Sequence, residues 1–277
     1  MAKLNFGGGT HVGLKRQKNE DSYKADPSFG LWLIADGMGG ANAGEVASKI
    51  AVEEVLTNVQ NGSSLTDAIL AAHQSIIFQS ANNETLSGMG TTIVALKCED
   101  NLDYEITWVG DSRAYLWDKK LSQLSRDHSY VQYLVDEGAL DAQKAWGHPK
   151  SNIITQALGM ANKNIVVDSF HGHLLEDQKI LLCSDGLHGE IQESEIEDLL
   201  NKGSSNQDIA DSLISAALNK GGKDNISVFV LSPSTQGISS EELSSDRKPQ
   251  LLLLIIVGLI ILVTLLSNLP SPPFPSP

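Results

Sequence analysis

Leu31-Trp-Leu-Ile-Ala-Asp36-Gly-Met-Gly-Gly40 is a run of five apolar residues that ends in a carboxylate and a glycine-rich turn. A short run of branched and aromatic residues closed by glycine reads as a buried strand, here over about residues 30–35. The arrangement recurs outward along the chain. Ile106-Thr-Trp-Val109 runs into Gly110-Asp111, Ile180-Leu-Leu-Cys-Ser184 runs into Asp185-Gly186, and Asp224-Asn225 stands directly before Ile226-Ser-Val-Phe-Val-Leu231. Four predicted strands, at about 30–35, 104–110, 179–184 and 226–231, thus carry an aspartate at one tip, and others are predicted at about 91–98, 113–118 and 164–170. Helices are predicted at about 42–60, 65–82, 129–137, 193–201 and 205–219. Ala43, Val46, Ala47, Ile50, Ala51 and Val55 give the first of them an apolar stripe. Helices come in pairs between groups of strands, not one per strand, which speaks against a regular βαβ repeat and predicts an α+β sandwich of sheets flanked by helices.

One Asp-Gly after a strand is a turn signal and no more. Several strand tips gathered at one sheet edge are different, because clustered carboxylates raise one another's pKa unless a cation neutralises them. Aspartates without accompanying Cys or His select a hard, oxygen-preferring ion, Mg²⁺ or Mn²⁺, over zinc. Two such ions about 3.5–4 Å apart can polarise a phosphoryl group and generate hydroxide from water at neutral pH. The glycines of 36–40 lack the Gly-Lys-Ser/Thr ending of a nucleotide-binding loop. Near the start, Arg16-Gln-Lys-Asn-Glu20-Asp21 alone reads as a solvated charge run, although the planar fork of an arginine suits a phosphate.

The chain has 277 residues and a formal net charge of −14. That balance, with no basic cluster interleaved with aromatics, argues against nucleic acid as a partner. The two cysteines, Cys98 and Cys183, each sit in an apolar run and are expected to be buried thiols. No secretory leader is visible at the start, so the folded part is expected in the cytosol. From Leu251 to Leu266 every residue is apolar apart from Gly258 and Thr264, and continuing to Leu269 gives about 19 residues, roughly 28 Å as helix, which predicts a membrane span over 250–269. Ser- and Glu-rich 233–249 reads as a flexible linker and 270–277 as a Pro-rich tail. Arg247 and Lys248 flank the span on its N-terminal side, so the expectation is a single-pass protein of the cytoplasmic membrane whose folded domain, 1–232, faces the cytoplasm.

Taken in order, Gly13-Leu-Lys-Arg16 with Asn19-Glu-Asp-Ser22, Ala35-Asp-Gly-Met-Gly-Gly40, Gly88-Met-Gly-Thr-Thr92, Val109-Gly-Asp-Ser-Arg113, Arg126-Asp-His128, Ile154-Thr-Gln-Ala-Leu-Gly159, Cys183-Ser-Asp-Gly-Leu187 and Asp224-Asn-Ile226 resemble the metal-dependent Ser/Thr protein phosphatases, the PPM or type 2C family, in their compact bacterial form. The resemblance implies a β-sandwich of two antiparallel sheets flanked by pairs of antiparallel helices. It implies that Asp36 bridges two Mn²⁺ or Mg²⁺ ions, with the Gly37 carbonyl on one and Asp185 and Asp224 on the other. Glu20 and Asp21 would bind metal-held water, Asp111 with Asp185 would form a third, weaker site, and Arg16 would hold the substrate phosphate. The implied reaction is direct attack of a metal-bridging hydroxide on phosphoserine or phosphothreonine in proteins, with a Ser/Thr kinase opposed and a monomeric catalytic domain. His128 and His148 are possible acids for the leaving group, each with a simpler structural reading. The segment around 136–159 would be a flap beside the cleft. Gln156 and Gly189 depart from residues common in bacterial relatives.

Overall fold

Leu31–Met38 forms a strand, β3, whose first five residues have no exposed surface at all. Side chains of a strand alternate between faces, and here the alternation sorts them into separate cores. Leu31, Leu33 and Ala35 pack among helical residues, while Trp32 and Ile34 join a different cluster with Phe229 and Leu182. A strand covered on both faces must be apolar throughout, which explains the unbroken run in the sequence. The same division holds in β11 (Ile226–Pro233), where Val228 and Val230 face one cluster and Phe229 and Leu231 the other.

The computed structural model describes residues 4–39, 43–160, 164–202 and 205–234. The other strands are β1 (Leu4–His11), β2 (Asp21–Asp26), β4 (Gly90–Thr91), β5 (Ile93–Cys98), β6 (Asp103–Val109), β7 (Arg113–Trp117), β8 (Leu121–Gln123), β9 (Asp168–His173) and β10 (Lys179–Cys183). They build two antiparallel sheets, one ordered β1-β11-β10-β7-β8 and the other β2-β3-β5-β6-β9 with β4 beside β3. The helices are α1 (Ala43–Gln60), α2 (Leu65–Asn82), α3 (Tyr130–Asp136), the single turn α4 (Asp185–His188), α5 (Glu193–Lys202) and α6 (Asn206–Lys220). Residues of α1 and α2 close the core on the outer face of the second sheet, and those of α5 and α6 do so on the first. Ser64 and Ser205 cap α2 and α6, each accepting a hydrogen bond from the backbone N–H three residues on at 3.1 Å. The layers are therefore helices, sheet, sheet and helices, as the α+β expectation required.

Three strands escape the sequence reading. β1, with Gly7, Gly8 and Gly9, and the polar β2 each form a sheet edge, where one neighbour suffices and apolar alternation is weak. Gly7 is required by proximity, since a Cβ there would lie 2.3 Å from the Asn206 backbone. β8 has only three residues. The strand expected at 164–170 runs instead over 168–173, because Ile165 and Val167 pack against the α1/α2 core and leave only Asp168 onward to pair with β6. Cys98 and Cys183 are buried and free, and burial pushes their thiols up to about 11 and about 12. No helix among the described residues is long and apolar enough to cross a membrane. The expected span 250–269, the tail and the linker from 235 onward lie outside the described residues.

Candidate active site

The aspartate-bearing tips meet at one end of the sandwich. Asp21 opens β2 and is the ladder partner of Asp36 in β3, so hydrogen-bonded pairing of two strands fixes these acids opposite one another. Asp21 is buried; its Oδ2 accepts hydrogen bonds from Ser184 Oγ at 2.8 Å and Ser227 Oγ at 2.7 Å, and its Oδ1 has no partner. Burial, with Asp185 and Asp224 nearby, pushes its carboxyl up to about 7 against the effect of the two hydroxyls. Asp36 keeps a little surface, yet desolvation and the charges of Asp21, Asp185 and Asp111 hold it well above the ordinary carboxylate range. Its peptide is locked to β4 and the segment after it: Asp36 N–H donates to Thr92 Oγ1 at 3.1 Å, and Thr91 Oγ1 donates to Asp36 O at 2.8 Å.

Gly37 allows the next close approach. Its N–H donates to Glu20 O at 3.1 Å, and a Cβ on it would lie 2.1 Å from Gly44 O, where α1 begins. Ser48 Oγ donates to the same Glu20 carbonyl at 2.6 Å. Burial raises the Glu20 carboxyl, with Arg16 acting in the other direction.

The loop carrying Arg16 and Glu20 is organised by Asn225, the middle residue of Asp224-Asn-Ile226. Its Oδ1 accepts from Glu20 N–H at 2.7 Å, and its Nδ2 donates to Val12 O and Lys18 O, both at 2.9 Å. Arg16 Nη2 donates to Asp224 Oδ2 at 2.6 Å, a bond that raises the guanidinium pKa. Arg16 is half exposed, so this pair sits at the rim in contact with water.

Asp111 lies in the turn between β6 and β7, buried, and its carboxyl is raised by burial and by Asp185. Asp185 begins α4; burial and Asp224 push its carboxyl up to about 6, and its Oδ1 is buried without a partner. Two histidines hold the Asp111 turn. Gly110 N–H donates to His128 Nδ1 at 3.1 Å, and His128 Nε2 lies 3.1 Å from Asp168 Oδ2. His188 Nε2 lies 3.0 Å from the Asp111 carbonyl, and burial pushes this imidazole down to about 3. With both ring nitrogens engaged, His128 is placed as a support and not as a proton donor to a substrate. His148 uses Nδ1 to accept from Lys150 N–H at 3.1 Å. His171 and His173 stand on β9, away from these tips. Gln156 Oε1 accepts from Val166 N–H at 2.7 Å.

A cavity of about 880 Å³ opens beside the acids and is lined by Asp111, Asp185 and Asp224 together with Val131, Val135 and Trp146. Trp146 belongs to the segment expected as a flap, and its Nε1 donates to the His188 carbonyl at 3.0 Å. Arg113 and Asp127 also line the cavity, and Arg113 grips Asp127 through Nε and Nη2, the latter at 2.7 Å from Oδ2.

The structure therefore brings Asp21, Asp36, Asp111, Asp185 and Asp224 into mutual electrostatic range, with Glu20 and Arg16 at the rim. Among the described residues, no three His, Cys, Asp or Glu side chains close on one point as they stand. The donor set still fits a hard divalent cation. It is all oxygen, several of its acids are destabilised in their ionised form by one another, and two buried carboxylate oxygens lack any partner. Sequence reasoning missed Asn225, Ser184, Ser227, His188 and Trp146, whose tasks arise from partners distant in the chain.

A family model described as Protein phosphatase 2C matches residues 9–226. A serine/threonine phosphatase stp of Listeria welshimeri is 36% identical over 236 residues, covering 80% of this chain and 93% of the relative. The crystal structure of the Mycobacterium tuberculosis serine/threonine phosphatase PstP/Ppp superposes with a TM-score of 0.77 at 33% identity, covering 84% of this chain and 99% of that one. The catalytic domain of the serine threonine protein phosphatase PstP in complex with 2 manganese ions gives 0.74 at 32% identity over 84% of this chain and 99% of its own.

Proposed function

Since the chain belongs to the protein phosphatase 2C family, we propose a division of labour among its acids as a metal-dependent protein-serine/threonine phosphatase. That activity follows from the family; the assignment of residues rests on the buried, mutually raised acids and above all on Asp185 Oδ1, a buried oxygen with no partner in the protein. Asp36, the Gly37 carbonyl, Asp185 and Asp224 would hold two Mn²⁺ or Mg²⁺ ions, with Asp36 shared between them. Glu20 and Asp21 would hold water at those ions, and Asp111 with Asp185 would hold a third, weaker ion. When bound, the cations supply neutralisation of phosphate charge and activation of the attacking water.

The chain's own groups bind and orient. Arg16, half exposed at the rim beside Asp224, directs its guanidinium to the phosphate oxygens of a phosphoserine or phosphothreonine. Asn225 fixes the loop on which Arg16 and Glu20 ride. Ser184 and Ser227 keep Asp21 Oδ2 in place and so aim Oδ1. Thr91 and Thr92 hold the Asp36 backbone and so fix the position from which its carboxylate would meet the ions.

The protein dephosphorylates phosphoproteins opposite a Ser/Thr kinase, and its catalytic domain works as a monomer. Residues 250–269 anchor it as a single span, which confines it to substrates at the cytoplasmic membrane. Hydrolysis of a phosphothreonine peptide by the full-length protein tests the assignment. We expect activity with Mn²⁺ or Mg²⁺, its loss in EDTA, and a fall of about 10²–10³ in kcat for Asp36→Asn, the scale of removing one electrostatic stabiliser of a transition state. Wild-type turnover in Asp36→Asn would reject the bridging role.

A further inference from the structure

We propose that Lys15 and Lys18, on either side of Arg16, select phosphoserine and phosphothreonine that stand in acidic sequence; this rests on the reading of Arg16 as the phosphate ligand. Residues 12–19 carry Lys15, Arg16 and Lys18 and no acid, and 14–18 are exposed without a break. β1 ends at His11 opposite Ile226, the first residue of β11, so this loop leaves the sheet where Asp224 arrives. Backbone contacts then seat the loop on the site. Leu14 N–H donates to Gly222 O at 2.7 Å, a Cβ on Gly13 would lie 2.2 Å from Asp224 O, and Lys18 O accepts from Asn225 Nδ2 at 2.9 Å. Burial raises the Glu20 carboxyl, and the charges of Arg16 and Lys18 both act against it, which puts the two cations at one rim. Lys15 forms no ion pair among the described residues.

The sign of the rim decides what it selects. Cavity-lining acids outside the proposed cation site are matched within the protein: Asp127 and Glu193 meet Arg113 at 2.7 and 3.6 Å, and Glu190 meets Lys223 at 3.5 Å. With Arg16 engaged on the phosphate, Lys15 and Lys18 face whatever flanks it. An extended peptide advances about 3.3 Å per residue, and charges are screened beyond about 8 Å at physiological salt. The lysines therefore sense the first two residues on either side of the phosphorylated one. The chain as a whole carries a net charge of −14, and its distant field alone would favour a basic peptide. Screening removes most of that field and leaves the choice to the near cations.

Two phosphothreonine peptides that differ only in carrying Glu or Lys at the two positions on each side test the inference with the full-length protein in Mn²⁺. The ratio of their kcat/KM values divides out differences in folding and metal content between variants. An exposed ion pair is worth up to about fivefold, so the acidic peptide should be favoured by about 5–25-fold. The ratio should shrink in about 1 M salt, where screening sets in at about 3 Å. Lys15→Gln and Lys18→Gln should each lower it by about two- to fivefold, and Lys15→Glu combined with Lys18→Glu should reverse it. If Arg16→Ala leaves KM for the acidic peptide unchanged, the reading of Arg16 fails and the inference goes with it. If Arg16→Ala raises that KM while the wild type treats both peptides alike or prefers the basic one, the inference alone is overturned. A preference for the acidic peptide that survives both glutamine variants and the double reversal overturns it too.

Discussion

Arg16 shows what one residue at the rim contributes. Its guanidinium reaches Asp224 Oδ2 while half its side chain stays in water, so it can turn to an incoming phosphate at little cost. A hydrogen bond to a charged group is worth about 1.5–3 kcal/mol, and Arg16→Ala should therefore raise KM for a phosphopeptide by roughly 10–100-fold with a smaller change in kcat. Steady-state kinetics at saturating Mn²⁺ measure both, and an unchanged KM would remove Arg16 from phosphate binding. At this scale the acids were legible, because an aspartate at the tip of a buried strand needs only local sequence to be noticed. Asn225 and His188 were not. Asn225 answers to Val12, Lys18 and Glu20, about two hundred positions earlier, and His188 to Asp111 and Trp146. No local pattern encodes a partner that the fold alone brings near.

Elements place these residues, and the elements that place them best were the hardest to read. The runs at β3, β6, β10 and β11 announce themselves because both faces are buried. β2 is polar and β1 holds three glycines in succession, yet β2 sets Asp21 opposite Asp36 and the turn after β1 delivers Arg16. The sequence pattern registers burial, and an edge strand has little of it to show. The loop between β1 and β2 depends instead on Asn225 at the start of β11. Asn225→Ala would leave Glu20 N–H and the Val12 and Lys18 carbonyls without their bonds, at about 1–3 kcal/mol for a buried group left unpaired. For a domain of this size that lowers Tm by roughly 2–10 °C in a calorimetric melt, and steady-state kinetics should find KM raised, since Arg16 rides the same loop. A variant with wild-type Tm and KM would show that the loop holds itself.

For the molecule as a whole, the acid cluster links stability to pH and to cations. Asp21 is raised to about 7, Asp185 to about 6, and Asp36 and Asp111 well above their ordinary values, chiefly by burial. In the metal-free protein, raising the pH from about 4 to about 7 ionises these acids in the unfolded chain while the folded chain keeps the protons. The folded state binds more protons in that window, so its stability falls as pH rises. Mn²⁺ at a hundredfold excess over Kd restores about 2.7 kcal/mol. Thermal melts in EDTA and in Mn²⁺ across this range should therefore diverge with rising pH, and parallel curves would sink the link. At the same scale, deleting 250–277 should leave peptide hydrolysis intact and release the protein from membranes; a full-length chain that fractionates as wholly soluble would refute the anchor. One feature of the β2–β3 ladder reaches further. Because Asp21 and Asp36 are opposite each other by strand register, a one-residue slip of β2 turns every one of its side chains to the other face. A chain paired one residue out of register would not bring Asp21 and Asp36 together, so under the proposed assignment metal loading would select the correctly registered copies.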